Sequence, residues 1–455
     1  DSTHTLIFEN NIEMDGTNRF RANNGFADVD GRITGNLSDK SGSVGTLWKT
    51  GDGVLELTGS NTYSGGTEVL GGQLLLSGSN ALSENSLLVI SNYGVITLGA
   101  TDFTRDLGTN GGDVVWTGSG GFAASGADRI VNIGGNTQQL VWGSAFFVPE
   151  GVNGSTLVLG RTGTTHTVDF QNDIDLGASN RTVWAGNGDA AIDAVLSGVL
   201  SGSGGLIKVS PGTLMLNNTN LFTGGLEVQE GRLVLDGGDN RLQAMAVVLG
   251  STNGDSGVLQ LGGTSGKSDQ TFTGLTMADA GTGNAVVGGA TDVSTLTLNI
   301  GGGITNIYDG LLGGGGANEN NLALVKTGDG MLFLAGGSTY TGRTTIAGGT
   351  IAIGIDSALG GDPGSVIADQ LTLDGGTLRI TNRADLMANR GITLGASGGT
   401  IESDMLPSNS DRVTIGGIIT GAGGLTKTGI GTVELDQDST YAGDTVVAGG
   451  VLLLH

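Results

Sequence analysis

The chain has 455 residues, no cysteine, 89 glycines against 4 prolines, and a formal net charge of -24. That charge excludes a nucleic-acid binder, which needs basic surface to displace counterions, and disfavours anionic membrane surfaces. Glycine without a three-residue period or abundant proline excludes collagen, and 37% hydrophobic residues is too rich for plain disorder.

Along the chain, a first module occupies about 29–98. It opens with Gly31-Arg-Ile-Thr-Gly35 and reaches the phrase Lys49-Thr-Gly-Asp-Gly53. The alternating pair Leu55/Leu57 follows, then Tyr63, Gly65 and Gly72, and two strand-like runs at 87–90 and 95–98. A less repetitive stretch, about 99–195, carries Trp116, Trp142 and Trp184 in short apolar segments, and the run Val168-Asp-Phe-Gln-Asn-Asp-Ile-Asp-Leu176. The phrase returns in a second module, about 196–261, as Lys208-Val-Ser-Pro-Gly212 with Phe222, Gly224 and Gly231. A third, about 307–380, has Lys326, Gly330, Tyr340, Gly342 and Gly349. The fourth, about 415–455, has Lys427, Gly431, Tyr441, Gly443 and Gly450, and stops inside its copy, so the chain reads as a fragment.

Nearly every structured piece is four to six residues long, alternates apolar with polar, and ends at Gly, Asn, Asp or Ser. That is strand and turn chemistry. Only 240–248 and 382–390 could form a short helical turn, too little to cover a sheet. Units that cannot bury an apolar face alone must stack. The sequence therefore predicts an all-β, right-handed parallel β-helix, one continuous solenoid of roughly 20 coils at about 20–25 residues each. The stretch 99–195 continues it with irregular coils.

The phrase Lys-Thr-Gly-Asp-Gly-x-Leu-x-Leu-x-Gly-x-Asn-Thr-Tyr-x-Gly-Gly-Thr, followed by Val-x-x-Gly-x-Leu, is fullest at Lys49–Leu76 and recurs closely at Lys326–Ile353 and Lys427–Leu454. It resembles the autotransporter-associated β-strand repeat. Lys208–Leu235 departs, with Val-Ser-Pro in place of Thr-Gly-Asp and Phe222 in place of tyrosine. The resemblance implies an extracellular passenger of a Gram-negative bacterium, at the cell surface or secreted. It also implies an outer-membrane export barrel outside this fragment, and a role in adhesion or cell–cell association. The implied partner is a surface glycan or protein of host or bacterium, or a second copy of the chain. No cofactor is implied.

Catalytic signals are sparse. His4, His166 and His455 are far apart in sequence, whereas a triad needs its groups in contact. Gly395-Ala-Ser397-Gly-Gly399 fits a nucleophile elbow in letters, but a strand-like segment follows where a helix is required. Period-two geometry would set Asp169, Asp173 and Asp175 on one face. Such a row could hold Ca²⁺, or serve as acid and base on a polysaccharide, though its plainer reading is a solvated surface. Trp116, Trp142 and Trp184 are candidates for an exposed binding surface, or else for core filling. The sequence thus predicts a non-enzymatic passenger. A polysaccharide lyase or hydrolase and a passive spacer presenting another domain are the alternatives.

Overall fold

The computed structural model describes residues 4–150, 155–279, 281–404 and 412–455, so 151–154 of the irregular stretch lie outside the described residues. The chain divides into two units, Asp1–Gly224 and Gly225–His455. Both are all-β, with long parallel sheets.

In the first unit the chain visits its sheets in rotation. One sheet takes Leu6–Phe8, Gly31–Ile33, Val54–Leu57, Gln73–Leu76, Gly94–Leu98, Gly120–Ala124, Thr156–Leu159, Arg181–Ala185 and Leu206–Val209, each parallel to the one before. A second stacks Gly16–Arg21, Gly45–Thr50, Thr67–Val69, Leu88–Ile90 and Val114–Trp116. A third then begins, with Arg129–Val131, Val168–Phe170, Ala194–Leu196 and Thr213–Leu216. Strands in register lie one winding apart: Leu55 faces Leu74, nineteen residues on, and Leu157 faces Val183, twenty-six on.

The second unit repeats the plan. Leu322–Thr327, Thr344–Ile346, Ile367–Leu373, Arg390–Leu394 and Ile419–Gly421 stack in one sheet. Met331–Leu334, Thr350–Ile353, Thr377–Ile380, Gly399–Ser403 and Leu425–Thr428 stack in another.

Alternation sends every second side chain inward, where stacked strands align like residues into ladders. Leu55, Leu74, Ile96, Phe122 and Leu159 form one; Leu332, Ile351, Leu378 and Ile401 form another. All of these are buried.

Neither expected helical turn forms. Ala246–Leu249 is a strand, and 382–390 leads through a turn into the strand Arg390–Leu394. Helical geometry among the described residues is confined to the 3-10 turns Ile133–Gly135 and Asp356–Leu359. A helix covering either segment would have to give up the ladder hydrogen bonds that the next winding offers.

Candidate functional site

The fourfold phrase is one short winding, and its lysine is the unexpected member. Lys49 stands in an inward ladder with Phe20, Val69, Ile90 and Trp116. Lys326 stands between Leu298 and Ile346, and Lys427 between Ile401 and Val447. These three lysines and Lys208 are fully buried. A buried ammonium is costly unless its protons are satisfied. Here backbone carbonyls do that. Lys49 Nζ donates to Thr50 O (3.2 Å), Gly51 O (2.7 Å) and, on the next winding, Gly71 O (3.1 Å). Lys326 Nζ donates to Thr327 O (2.6 Å), Gly328 O (2.8 Å) and Gly348 O (3.4 Å). Lys427 Nζ donates to Thr428 O (2.5 Å), Gly429 O (3.0 Å) and Gly449 O (3.1 Å). Lys208 Nζ donates to Ser210 O. Lys49, Lys326 and Lys427 thus each tie the turn after their own strand to the turn one winding later.

Burial pulls the Lys49 ammonium down to about 8, with Arg161 nearby adding to the fall and Asp52 and Asp30 opposing it. Burial also takes Lys326 to about 8 against Asp329, and lowers Lys427 against Asp404 and Glu402.

The repeat glycines are points of backbone approach. Gly65, Gly224, Gly342 and Gly443 each donate an amide hydrogen bond to a carbonyl twenty residues earlier. A Cβ on Gly342 would come 2.4 Å from Leu322 O, so no side chain fits. Gly53, Gly212, Gly330 and Gly431 likewise donate to the preceding winding, at Ala22, Ala185, Ile300 and Ser403. Gly72, Gly231, Gly349 and Gly450 have positive φ. At Gly349 an added Cβ would also lie 2.8 Å from Lys326 Nζ, so the space a side chain would fill belongs to the ammonium.

The aromatic makes its bond within its own winding. Tyr63 and Tyr340 are buried, and their hydroxyls bond Thr67 and Thr344, both at 2.6 Å; Tyr441, half-buried, bonds Thr445 at 2.5 Å. Copy two has the buried Phe222 where the others have tyrosine, and Leu226 where they have threonine. Hydroxyl and partner change together, which avoids stranding either one. The paired change was visible in the sequence four residues apart. Burial pushes the Tyr340 phenol up to about 12, with the Thr344 bond opposing, and raises Tyr63 for the same reason.

The aspartate row needs correction. Asp169 lies on Val168–Phe170 and Asp175 on Ile174–Asp175, strands of different sheets, because the chain turns a corner at 171–173. Asp169 accepts from Ser197 Oγ (2.5 Å) and Gln171 Nε2 (3.0 Å), Asp173 from Val199 N (2.7 Å), and Asp175 from Gly177 N (2.8 Å). Asp173 follows a wider pattern. Corner carboxylates cap a backbone amide one winding on: Asp30 to Val54, Asp39 to Ser64, Asp102 to Ile130, Asp128 to Thr167 and Asp193 to Thr213. In the second unit, Asp269 caps Thr295 and Asp385 caps Thr414. Part of the chain's acidity is therefore structural.

The tryptophan surface needs correction too. Trp116 and Trp142 are buried, packed edge-on against Phe147 at 5.2 and 5.9 Å, and Trp116 meets Phe122 at 5.8 Å. These rings fill the core of the irregular stretch. Trp184 alone of the three is exposed, and it meets the exposed Tyr93 edge-on at 6.1 Å.

Ser397 sits in a turn between the strands Arg390–Leu394 and Gly399–Ser403, its amide donating to Asp374. The hydroxyl Thr165 Oγ1 contacts His166 Nδ1, and His455 lies 3.7 Å from Glu434. The described residues contain no group of three or more His, Cys, Asp or Glu side chains placed to hold a metal.

The repeats place their lysines and glycines where successive windings meet. Residues 47–81, 206–235, 324–353 and 425–454 match the family model of the passenger-associated-transport-repeat. The chain is also 38% identical over 162 residues to the adhesin BmaC autotransporter of Brucella suis biovar 1 (strain 1330). That match covers 35% of this chain and 4% of the relative's length. No solved structure matches. The family model and the relative agree with the resemblance carried by the repeated phrase.

Proposed function

We propose that this chain is a segment of a right-handed β-helical passenger, displayed on or secreted from a Gram-negative cell. In this reading it mediates adhesion or cell–cell association without catalysing a reaction. The observation that carries the proposal is the match to an autotransporter adhesin alongside four copies of a passenger repeat. The partner is a surface glycan or protein, or a second copy of the chain, and an export barrel belongs elsewhere in the full-length protein. The direct test displays the fragment on bacteria and scores clumping and attachment against a display control. Attachment or clumping above the control supports adhesion; neither, at any salt concentration, favours a passive spacer.

A polysaccharide lyase or hydrolase has one observation in its favour. Asp102, Asp128, Asp169 and Arg129 line an open groove on the first unit. Its carboxylates already accept hydrogen bonds from neighbouring windings, which favours the structural reading. Cleavage of an acidic polysaccharide, lost in Asp169→Asn, would reverse that preference.

A further inference from the structure

Tyr93 and Trp184 form an exposed aromatic corner on the first unit, with an interplanar angle of 63°. Trp184 is 41% and Tyr93 45% exposed. Trp184 points outward from Arg181–Ala185, on the same face as Thr182 two residues before it. Tyr93 is held from the other side. It follows Asn92 in a turn where both residues have positive φ, 49° and 59°. A bulky side chain is uncommon in that region and glycine adopts it readily, so this backbone carries strain in presenting a ring.

The chain after Thr156–Leu159 braces the corner. Arg161 Nη1 donates to Tyr93 O at 3.1 Å, and Thr162 O accepts from Gln73 Nε2 at 3.2 Å. Val95, Ala123 and Val158 are buried against one another on the outer side of the same sheet, with Val158 in register with Trp184. Asn92 Nδ2 is anchored on Leu70 O at 3.1 Å. The two rings thus rest on a supported platform, with Asn92, Arg161 and Thr182 as polar neighbours.

Size argues for the kind of occupant. Two side chains, each less than half exposed, offer on the order of 200 Å². A stable protein partner needs about 800 Å² per side. One sugar ring needs far less, and a pyranose has an apolar C–H face to lie on an indole and hydroxyls for a polar rim. We infer that Trp184 and Tyr93 form a glycan subsite that stacks one pyranose residue, with Asn92, Thr182 and Arg161 at its rim. The assignment rests on the adhesive reading and names its ligand class.

The test presents the 455-residue chain to immobilised neutral hexose, N-acetylhexosamine and uronate oligosaccharides. The wild type binds at least one class. Trp184→Ala and Tyr93→Gly each weaken that binding at least tenfold, while Trp142→Phe, in the core, leaves it unchanged. Tyr93→Gly unfolds at the wild-type temperature or above it, because glycine suits the left-handed backbone, so its loss of binding cannot come from misfolding. Absence of binding to every sugar, or Trp184→Ala binding like the wild type, overturns the subsite. Display separates the two ideas. Attachment to cells without sugar binding removes the subsite and keeps adhesion; sugar binding through Trp184 without attachment does the reverse.

Discussion

Within the first unit, the repeat winding at 47–81 and the irregular windings at 99–195 solve the same stacking problem differently. In the repeat, successive strands of a sheet lie nineteen or twenty residues apart, as Leu55 to Leu74 and Leu47 to Thr67. There is no room for a loop, so a buried lysine and two close-packed glycines join the turns, and a tyrosine–threonine bond closes a corner within the winding. In the irregular stretch, Gly120 faces Leu157, thirty-seven residues on, and Arg129 faces Val168, thirty-nine on. Those windings are filled by rings instead, with Phe103 against Phe122 at 4.7 Å and Phe147 against Phe170 at 6.0 Å. Their extra length also supplies the segment that braces Tyr93. Short windings give regularity; long ones leave chain for a surface feature.

The phrase does not keep to one sheet. The Lys49 strand belongs to the second sheet of the first unit, the Lys208 strand to the first. Lys326 and Lys427 also occupy different sheets of the second unit. A repeat therefore carries its stitches with it, whichever face it meets.

The comparison can be broken first where rings carry the packing. Trp116→Ala should cost about 3–5 kcal/mol, as large-to-small core changes do. The loss should show as faster hydrogen exchange across 88–122, with little change at 324–353. Next, Tyr340→Ala should cost about 2–4 kcal/mol, expressed as local opening of the third copy because a solenoid's stability is distributed. Unchanged exchange across 326–353 would remove the ring's packing role. Smaller again, Tyr340→Phe alone should cost about 1 kcal/mol by stranding the Thr344 hydroxyl. Adding Thr344→Leu, which reproduces copy two, should recover most of it; denaturant unfolding of both variants reads the difference.

A pH dependence with two opposing limbs is also expected. Lys49 and Lys326 titrate near 8 when folded, against an ordinary 10.5. Between those values the unfolded chain holds more protons, so stability rises with pH. Tyr340 titrates near 12 when folded against an ordinary 10.0, so above pH 10 the unfolded chain loses its proton first and stability falls. Repeat windings should therefore be most stable at about pH 10. A steady decline in unfolding temperature from pH 8 upward would contradict the lysine limb.

Much of this architecture was legible because glycine spacing and strand alternation are local signals, as at Gly65, Gly72 and the Leu55/Leu57 pair. The lysine's inward direction was not legible, since a charged residue normally marks a solvent face and its acceptors lie one, two and twenty-two residues away. The aspartate row misled because strict alternation assumes an unbroken strand, and the chain bends between Phe170 and Ile174. The tryptophans stood open between a binding surface and core filling because the irregular stretch has no clean period to say which way each ring faces; Trp116 and Trp142 turn inward and Trp184 outward. Tyr93 escaped notice because nothing in its neighbourhood announces a partner ninety-one residues on.

The central claim is that the repeat lysine joins two successive windings. Hydrogen exchange on Lys326→Met, which keeps the side-chain bulk and removes the ammonium, tests it most directly. Orphaning three carbonyls should cost about 2 kcal/mol or more. Protection should fall together in two separated places, the turn at 327–330 and the turn at 347–350, which hold the acceptors Thr327, Gly328 and Gly348. Unchanged protection, or a loss confined to the lysine's own turn, would contradict the clamp.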